Sequence, residues 1–313
     1  RDRLYCRYSR GAAETFAAGK PMSRRLKAPR EPKVQPKRTH PLEKAWYILK
    51  PFILYMVIKT AALLLLSLLV ISVPISSMAE WVTVHSNQIN AVLNALASIF
   101  AVAFLMNDFL KEVNVIGEID IDSSFFRQFC AWMKNGVKAD KDKAVPLALS
   151  ASLGITSALA FNILAGIIQI QSPGYQKVEA IQYSVPIWLG LILYGLISPF
   201  VEEVVFRGLT YTRMRRFFGI PLSVIVTAVL FAGFHGNLAQ FVYALCMGVL
   251  LALCYEWVKS FAAPLVFHMA ANIVVFVVSS LMGGSSALLY IPFLVFFLLL
   301  SVILTALLYG KTR

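Results

Sequence analysis

The chain has 313 residues, of which 58% are hydrophobic and 14% charged, with a mean hydropathy of +0.71 and a formal net charge of +13. That balance excludes a soluble globular domain and points to an all-α, polytopic integral membrane protein. The positive charge is concentrated at one end, where residues 1–50 hold 14 Lys and Arg against four Asp and Glu.

Residues 1–45 read as a disordered basic tail, broken by proline and lacking apolar periodicity. It abuts the first apolar run, so its partner is anionic lipid and not nucleic acid. Met22-Ser23-Arg24-Arg25 resembles a natural start, which sets residues 1–21 outside the fold. The membrane domain, 46–313, carries about eight apolar stretches of spanning length, near 51–73, 89–107, 145–170, 185–217, 220–235, 237–257, 261–282 and 287–309. The first is too long for a signal peptide and lacks a small-residue cleavage site after it. Between the second and third, the loop 108–144 predicts a short helix behind Asp122 and Ser123, with Phe125, Phe129, Trp132 and Met133 on one face. That helix lies in the interface or packs as a lid on its neighbours. Pro199 should kink the fourth span or begin a new helical segment there. Gly236-Asn237 splits the fifth from the sixth as a tight hairpin.

With an even number of spans, the basic tail, the loop 108–144, the run Arg213-Met214-Arg215-Arg216, Lys259, Lys311 and Arg313 fall on one side. The opposite loops, 74–87, 171–183 and 283–286, hold only Lys177 as a Lys or Arg. The positive-inside rule then places both termini in the cytoplasm of a multi-pass cell-membrane protein. Cys6, Cys130, Cys246 and Cys254 have neither metal-type nor redox-type spacing and read as small apolar residues. His40 and His85 read as solvated.

Chemistry concentrates in three places between about 185 and 282: Ser198-Pro199-Phe200-Val201-Glu202-Glu203-Val204-Val205-Phe206-Arg207, Phe231-Ala232-Gly233-Phe234-His235, and His268-Met269-Ala270-Ala271-Asn272. An ionisable side chain at membrane depth is costly and marks a functional site unless it is merely a paired clamp. On a helix Glu203 and Arg207 are four residues apart and pair, while Glu202 points about 100° away and stays free. His268 and Asn272 likewise share a face. Together these groups supply a base, a second base or acid, and oxyanion donors, the set needed to activate water against an amide. Glu202, His235 and His268 are also a zinc-ligand set, although the HExxH spacing of many zinc proteases is absent, and the residues alone commit to no cofactor.

These residues resemble the CPBP family, the CAAX protease and bacteriocin-processing membrane proteases also labelled Abi. Glu202, Glu203 and Arg207 fit its EExxxR motif, Phe231 and His235 its FxxxH, and His268 and Asn272 its HxxxN. The resemblance implies an intramembrane endopeptidase in which Glu202 and His235 activate water and His268 and Asn272 stabilise the oxyanion. Glu203, Arg207 and Phe231 are then structural support. It also implies a peptide or a lipid-anchored protein as substrate, and the loop charges, with His268 nearest the cytoplasmic face, predict entry from the cytoplasmic leaflet. Two readings from other classes stand beside it: a transporter in which Glu202 relays protons, and a non-catalytic membrane immunity or scaffold protein.

Overall fold

The computed structural model describes residues 40–72, 76–114, 141–168, 173–282 and 291–313, and among them there is no strand. The predicted tail, the helix around Phe125 to Met133, Cys6 and Cys130 lie outside the described residues. The helices are α1 (Pro41–Ile71), α2 (Ser76–Val84), α3 (Ser86–Asn114), α4 (Lys141–Ile168), α5 (Pro173–Gln182), α6 (Ile187–Arg215), α7 (Ile220–Phe234), α8 (Leu238–Val258), α9 (Ala262–Met282) and α10 (Ile291–Lys311). Seven of them, all but α2, α5 and α7, are long and apolar enough to cross a membrane. The protein is an all-α, multi-pass membrane protein.

Three differences from the sequence reading have plain causes. First, α1 begins at Pro41, some ten residues before its apolar run, because proline fits the first turn of a helix and the His40 ring accepts from the Leu42 amide. Second, α7 has 15 residues, which rise ~22 Å, short of the ~30 Å hydrocarbon core. The expected eighth span is therefore a partial one. It ends at His235, turns through Gly236 at φ 70°, and re-enters as α8, whose first turn is capped by the Asn237 side chain accepting from the Gln240 amide. Third, α2 and α5 are short helices in segments read as loops.

The bundle is built around α6. Every residue from Val201 to Met214 is buried, with α1, α3, α7, α8 and α9 packed around this helix. α1 and α10 carry long apolar exposed faces, Leu64, Leu65, Leu68 and Leu69 on one and Phe296, Leu299 and Val302 on the other. Such faces suit lipid and not water. α4 crosses α9 at Gly154, where a Cβ would stand 2.2 Å from the Phe267 carbonyl oxygen, so only glycine lets the backbones meet just before His268.

Polar side chains tie one end of the bundle. Arg213 of α6 donates to Asp108 at 2.7 Å and Glu112 at 3.0 Å on α3 and to the Tyr47 carbonyl of α1 at 3.2 Å, while Arg216 also pairs with Glu112. Glu256 of α8 accepts from Arg215 at 3.0 Å, Tyr211 at 2.7 Å and Lys259. The run at 213–216, the start of the 108–144 loop and Lys259 thus share one end of the bundle, as the loop charges require.

Candidate active site

The site grows out of an irregularity in α6. Two stretches, Leu191–Ile197 and Val204–Tyr211, are π-helical, and between them Ser198–Glu203 is an ordinary α-helical turn and a half. In the first stretch the Ser198 amide already reaches back five residues to the Leu193 carbonyl. The next amide in that register would serve Tyr194, but residue 199 is proline and has none. The orphaned Tyr194 carbonyl is taken by the Asn272 side chain of α9, which donates to it at 3.0 Å. Of the two expected outcomes at Pro199 the structure shows the second, an α-helical segment that begins at Ser198 with the proline in its first turn, and the π-helical stretch before it is of a kind that often accompanies functional sites. Asn272 is thereby fixed to α6.

Glu202, Glu203, Arg207 and His268 come together as one buried cluster. Glu203 and Arg207 pair at 2.9 Å as their spacing predicts, and Arg207 also donates to the Gly248 carbonyl at 3.3 Å and lies over the Phe231 ring at 4.4 Å. The same Glu203 oxygen accepts from His268 Nδ1 at 2.7 Å. A hydrogen bond to a carboxylate fixes Nδ1 as the protonated nitrogen and turns Nε2 the other way. There it meets Glu202 Oε2 at 3.8 Å. Glu202 is held in turn by its second oxygen, which accepts from Ser198 Oγ at 2.6 Å. The imidazole of His268 thus stands between two adjacent carboxylates, one bonded and one just out of hydrogen-bonding range.

Glu203 does more than neutralise Arg207, since it also orients the histidine. Two buried atoms of this pair, Glu203 Oε2 and Arg207 Nε, have no hydrogen-bond partner. Ser198 is a site residue that the motifs do not include. It lies four residues before Glu202, the same spacing that exposed the Glu203–Arg207 pair, and that test would have found it.

His235 occupies a neighbouring position. At the C-terminal end of α7 its Nδ1 donates to the Phe231 carbonyl at 2.9 Å, which leaves Nε2 as the acceptor in the neutral ring. Phe231 lies between the two histidines, with ring centres 5.0 Å from His235 and 5.7 Å from His268, edge to face with both. Phe206 packs on Phe231 from α6 at 5.2 Å. Among the described residues His235 has no hydrogen bond or ion pair with Glu202 or His268, and no three His, Cys, Asp or Glu side chains stand together as a metal-holding group. As arranged here, Glu202, His235 and His268 do not fit a zinc ion.

Comparison with known proteins singles out this part of the chain. Residues 184–274, which hold all three motifs, match the family described as type II CAAX prenyl endopeptidase Rce1-like. In an alignment 149 residues long that covers 44% of this chain, it is 27% identical to the membrane-embedded CAAX protease MroQ of Staphylococcus aureus (strain USA300), of which it spans 58%. No solved structure matches.

Proposed function

We propose that this protein is a membrane-embedded endopeptidase of the CAAX protease type that hydrolyses a peptide bond of a lipid-anchored or membrane-proximal peptide. The observation that supports it most directly is His268 held between two adjacent buried glutamates, inside the segment similar to Rce1-like endopeptidases. A clamp would need only Glu203 and Arg207; an orienting glutamate, an oriented imidazole and a second carboxylate are the parts of an acid–base site.

In this reading Glu202 Oε2 removes a proton from a water lying against it, and the hydroxide attacks the peptide carbonyl carbon. The carbonyl π electrons move onto oxygen. His268, its Nδ1 fixed by Glu203, presents Nε2–H to that oxygen when protonated, and the second amide hydrogen of Asn272 adds to it. As the oxyanion electrons re-form the C=O bond and the C–N bond breaks, the nitrogen takes the proton held by Glu202, to give a carboxylic acid and an amine. His235, whose Nε2 is an acceptor in the neutral ring, assists the first step by accepting a hydrogen bond from the water's second hydrogen. Exclusion of water by the surrounding bundle strengthens each of these interactions.

Purified protein in detergent is expected to cleave members of a membrane-proximal peptide library, and to keep doing so in a chelator. Zinc near one per chain, lost together with activity and restored with it, would replace the metal-free steps while leaving the peptidase reading in place. Failure to cleave any peptide, with uptake that depends on a proton gradient, would favour the transporter instead.

Substrate enters from the cytoplasmic leaflet in this reading, because the basic end of the bundle faces the cytoplasm and Glu202 lies ~20 Å along α6 from Arg215. In intact cells, single cysteines at Asn87 and at Lys311, in a background lacking the native four, should differ: an impermeant thiol reagent labels the first and spares the second. The opposite pattern inverts the topology and directs the site toward exported peptides.

A further inference from the structure

Lys59 is a further ionisable group at membrane depth, and none of the steps above uses it. The apolar part of α1 runs from Pro51 to Ile71, which places Lys59 ~12 Å from one end and ~18 Å from the other at 1.5 Å per residue. That is close to the bilayer midplane, where a lysine is costly and ordinarily paired.

Its side chain lies on the inward face of the helix. Tyr55, one turn earlier, is fully buried; its ring packs against Phe234 of α7 at 6.0 Å, while Phe52 packs against Phe206 of α6 at 5.6 Å. From this face the Lys59 ammonium lies over the Tyr55 ring at 5.8 Å and the Phe234 ring at 5.3 Å. His235 packs edge-on against the same Phe234 ring at 5.8 Å. Among the described residues Lys59 has these two ring faces and no hydrogen-bonding or ion-pairing acceptor.

Ring faces attract a cation weakly and accept none of its three N–H bonds. The Phe234 ring under the ammonium also packs on Phe206 at 5.6 Å, on the same helix as Glu202, which is already held by Ser198 and faces His268. Arg207 is held by Glu203, Gly248 and Phe231, and its one spare donor, Nε, is buried within the ion pair. Lys59 is therefore the cation of this site with all of its donors unused among the described residues, one ring away from His235 and from the helix that carries the proposed base.

We propose that Lys59 is a substrate-recognition residue that binds a carboxylate of the peptide, and so sets which bond lies against Glu202. This rests on the endopeptidase reading. The carboxylate is either the peptide's C-terminus or an Asp or Glu side chain near the scissile bond. Bound between Lys59 and the ring faces it would form charge-assisted hydrogen bonds in a water-poor site, where they are stronger than at a surface.

The test uses one cleaved peptide in three forms: free acid, C-terminal amide, and free acid with Asp and Glu changed to Asn and Gln. Wild-type kcat/KM should fall at least about tenfold for one of the neutralised forms, which identifies the source of the carboxylate. Lys59→Met should bring the favoured form down to that level and leave the neutralised one nearly unchanged, while Lys59→Arg keeps part of the preference. Equal cleavage of all three forms by the wild type overturns the proposal but not the peptidase reading. So does an equal loss on all three forms in Lys59→Met, which marks a structural or purely electrostatic role. Binding of the three forms to the Glu202→Gln variant, measured calorimetrically, gives a readout apart from turnover. If no form is cleaved but the charged one binds more tightly in a Lys59-dependent way, the recognition site stands and the peptidase reading fails; if neither is seen, both fail.

Discussion

Glu202→Gln should lower kcat by about 10²–10⁴-fold, the range that a positioned general base supplies, while leaving thermal unfolding in detergent almost unchanged. Glutamine keeps an oxygen to accept from Ser198 Oγ, which holds the native side chain at 2.6 Å, and fills nearly the same volume. What it loses is the lone pair that takes the proton from water. The discriminating measurement is cleavage of a peptide turned over by the wild type, run beside an unfolding curve for each protein. Substantial residual activity would remove Glu202 from the role of base and move attention to His235, whose Nε2 is unprotonated in the neutral ring.

Arg207→Ala should act in the opposite sense, through stability. The guanidinium is 1% exposed and Glu203 0%, so deleting the arginine leaves a carboxylate buried with only His268 as partner. Breaking such a pair costs about 3–5 kcal/mol, and the contact with the Phe231 ring is lost as well. A marked fall in unfolding temperature is expected, with activity lost in proportion to the folded fraction. Adding Glu203→Gln to Arg207→Ala should recover part of that stability, because the stranded charge is then gone. No recovery would mean that the arginine stabilises through its ring and carbonyl contacts and not through the ion pair.

The order of the membrane helices could be read from the chain because a long apolar run is a strong, local signal, although α7, only 15 residues long, reads there as a full span. The Glu203–Arg207 pair could be read as well, since it needs only helical spacing. Two things could not be read in that way. The π-helical turns on either side of Ser198–Glu203 are set by packing on α9 and by a missing amide, and spacing rules for a regular helix do not anticipate them. The contact of His268 with Glu203 joins helices 65 residues apart in sequence and is a tertiary fact. Lys59 was visible: the criterion that marks Glu202, an ionisable residue in an apolar run, applies equally to it, but it lies outside the three motifs.

The bond between Asn272 and the Tyr194 carbonyl has a consequence for how this chain can vary. It exists because Pro199 offers no amide; any other residue there would supply one, and the helix could close over its own carbonyl. The amide hydrogen that Asn272 now gives to Tyr194 would then lose its acceptor in the fold, which, as far as stability alone is concerned, favours a smaller or greasier residue in its place. The two positions are thus tied as a lock is to its key: a lineage that changed one would be under pressure to change the other. In an engineered variant, Pro199→Ala and Asn272→Leu together should be tolerated better by the fold than either alone, even where both abolish turnover.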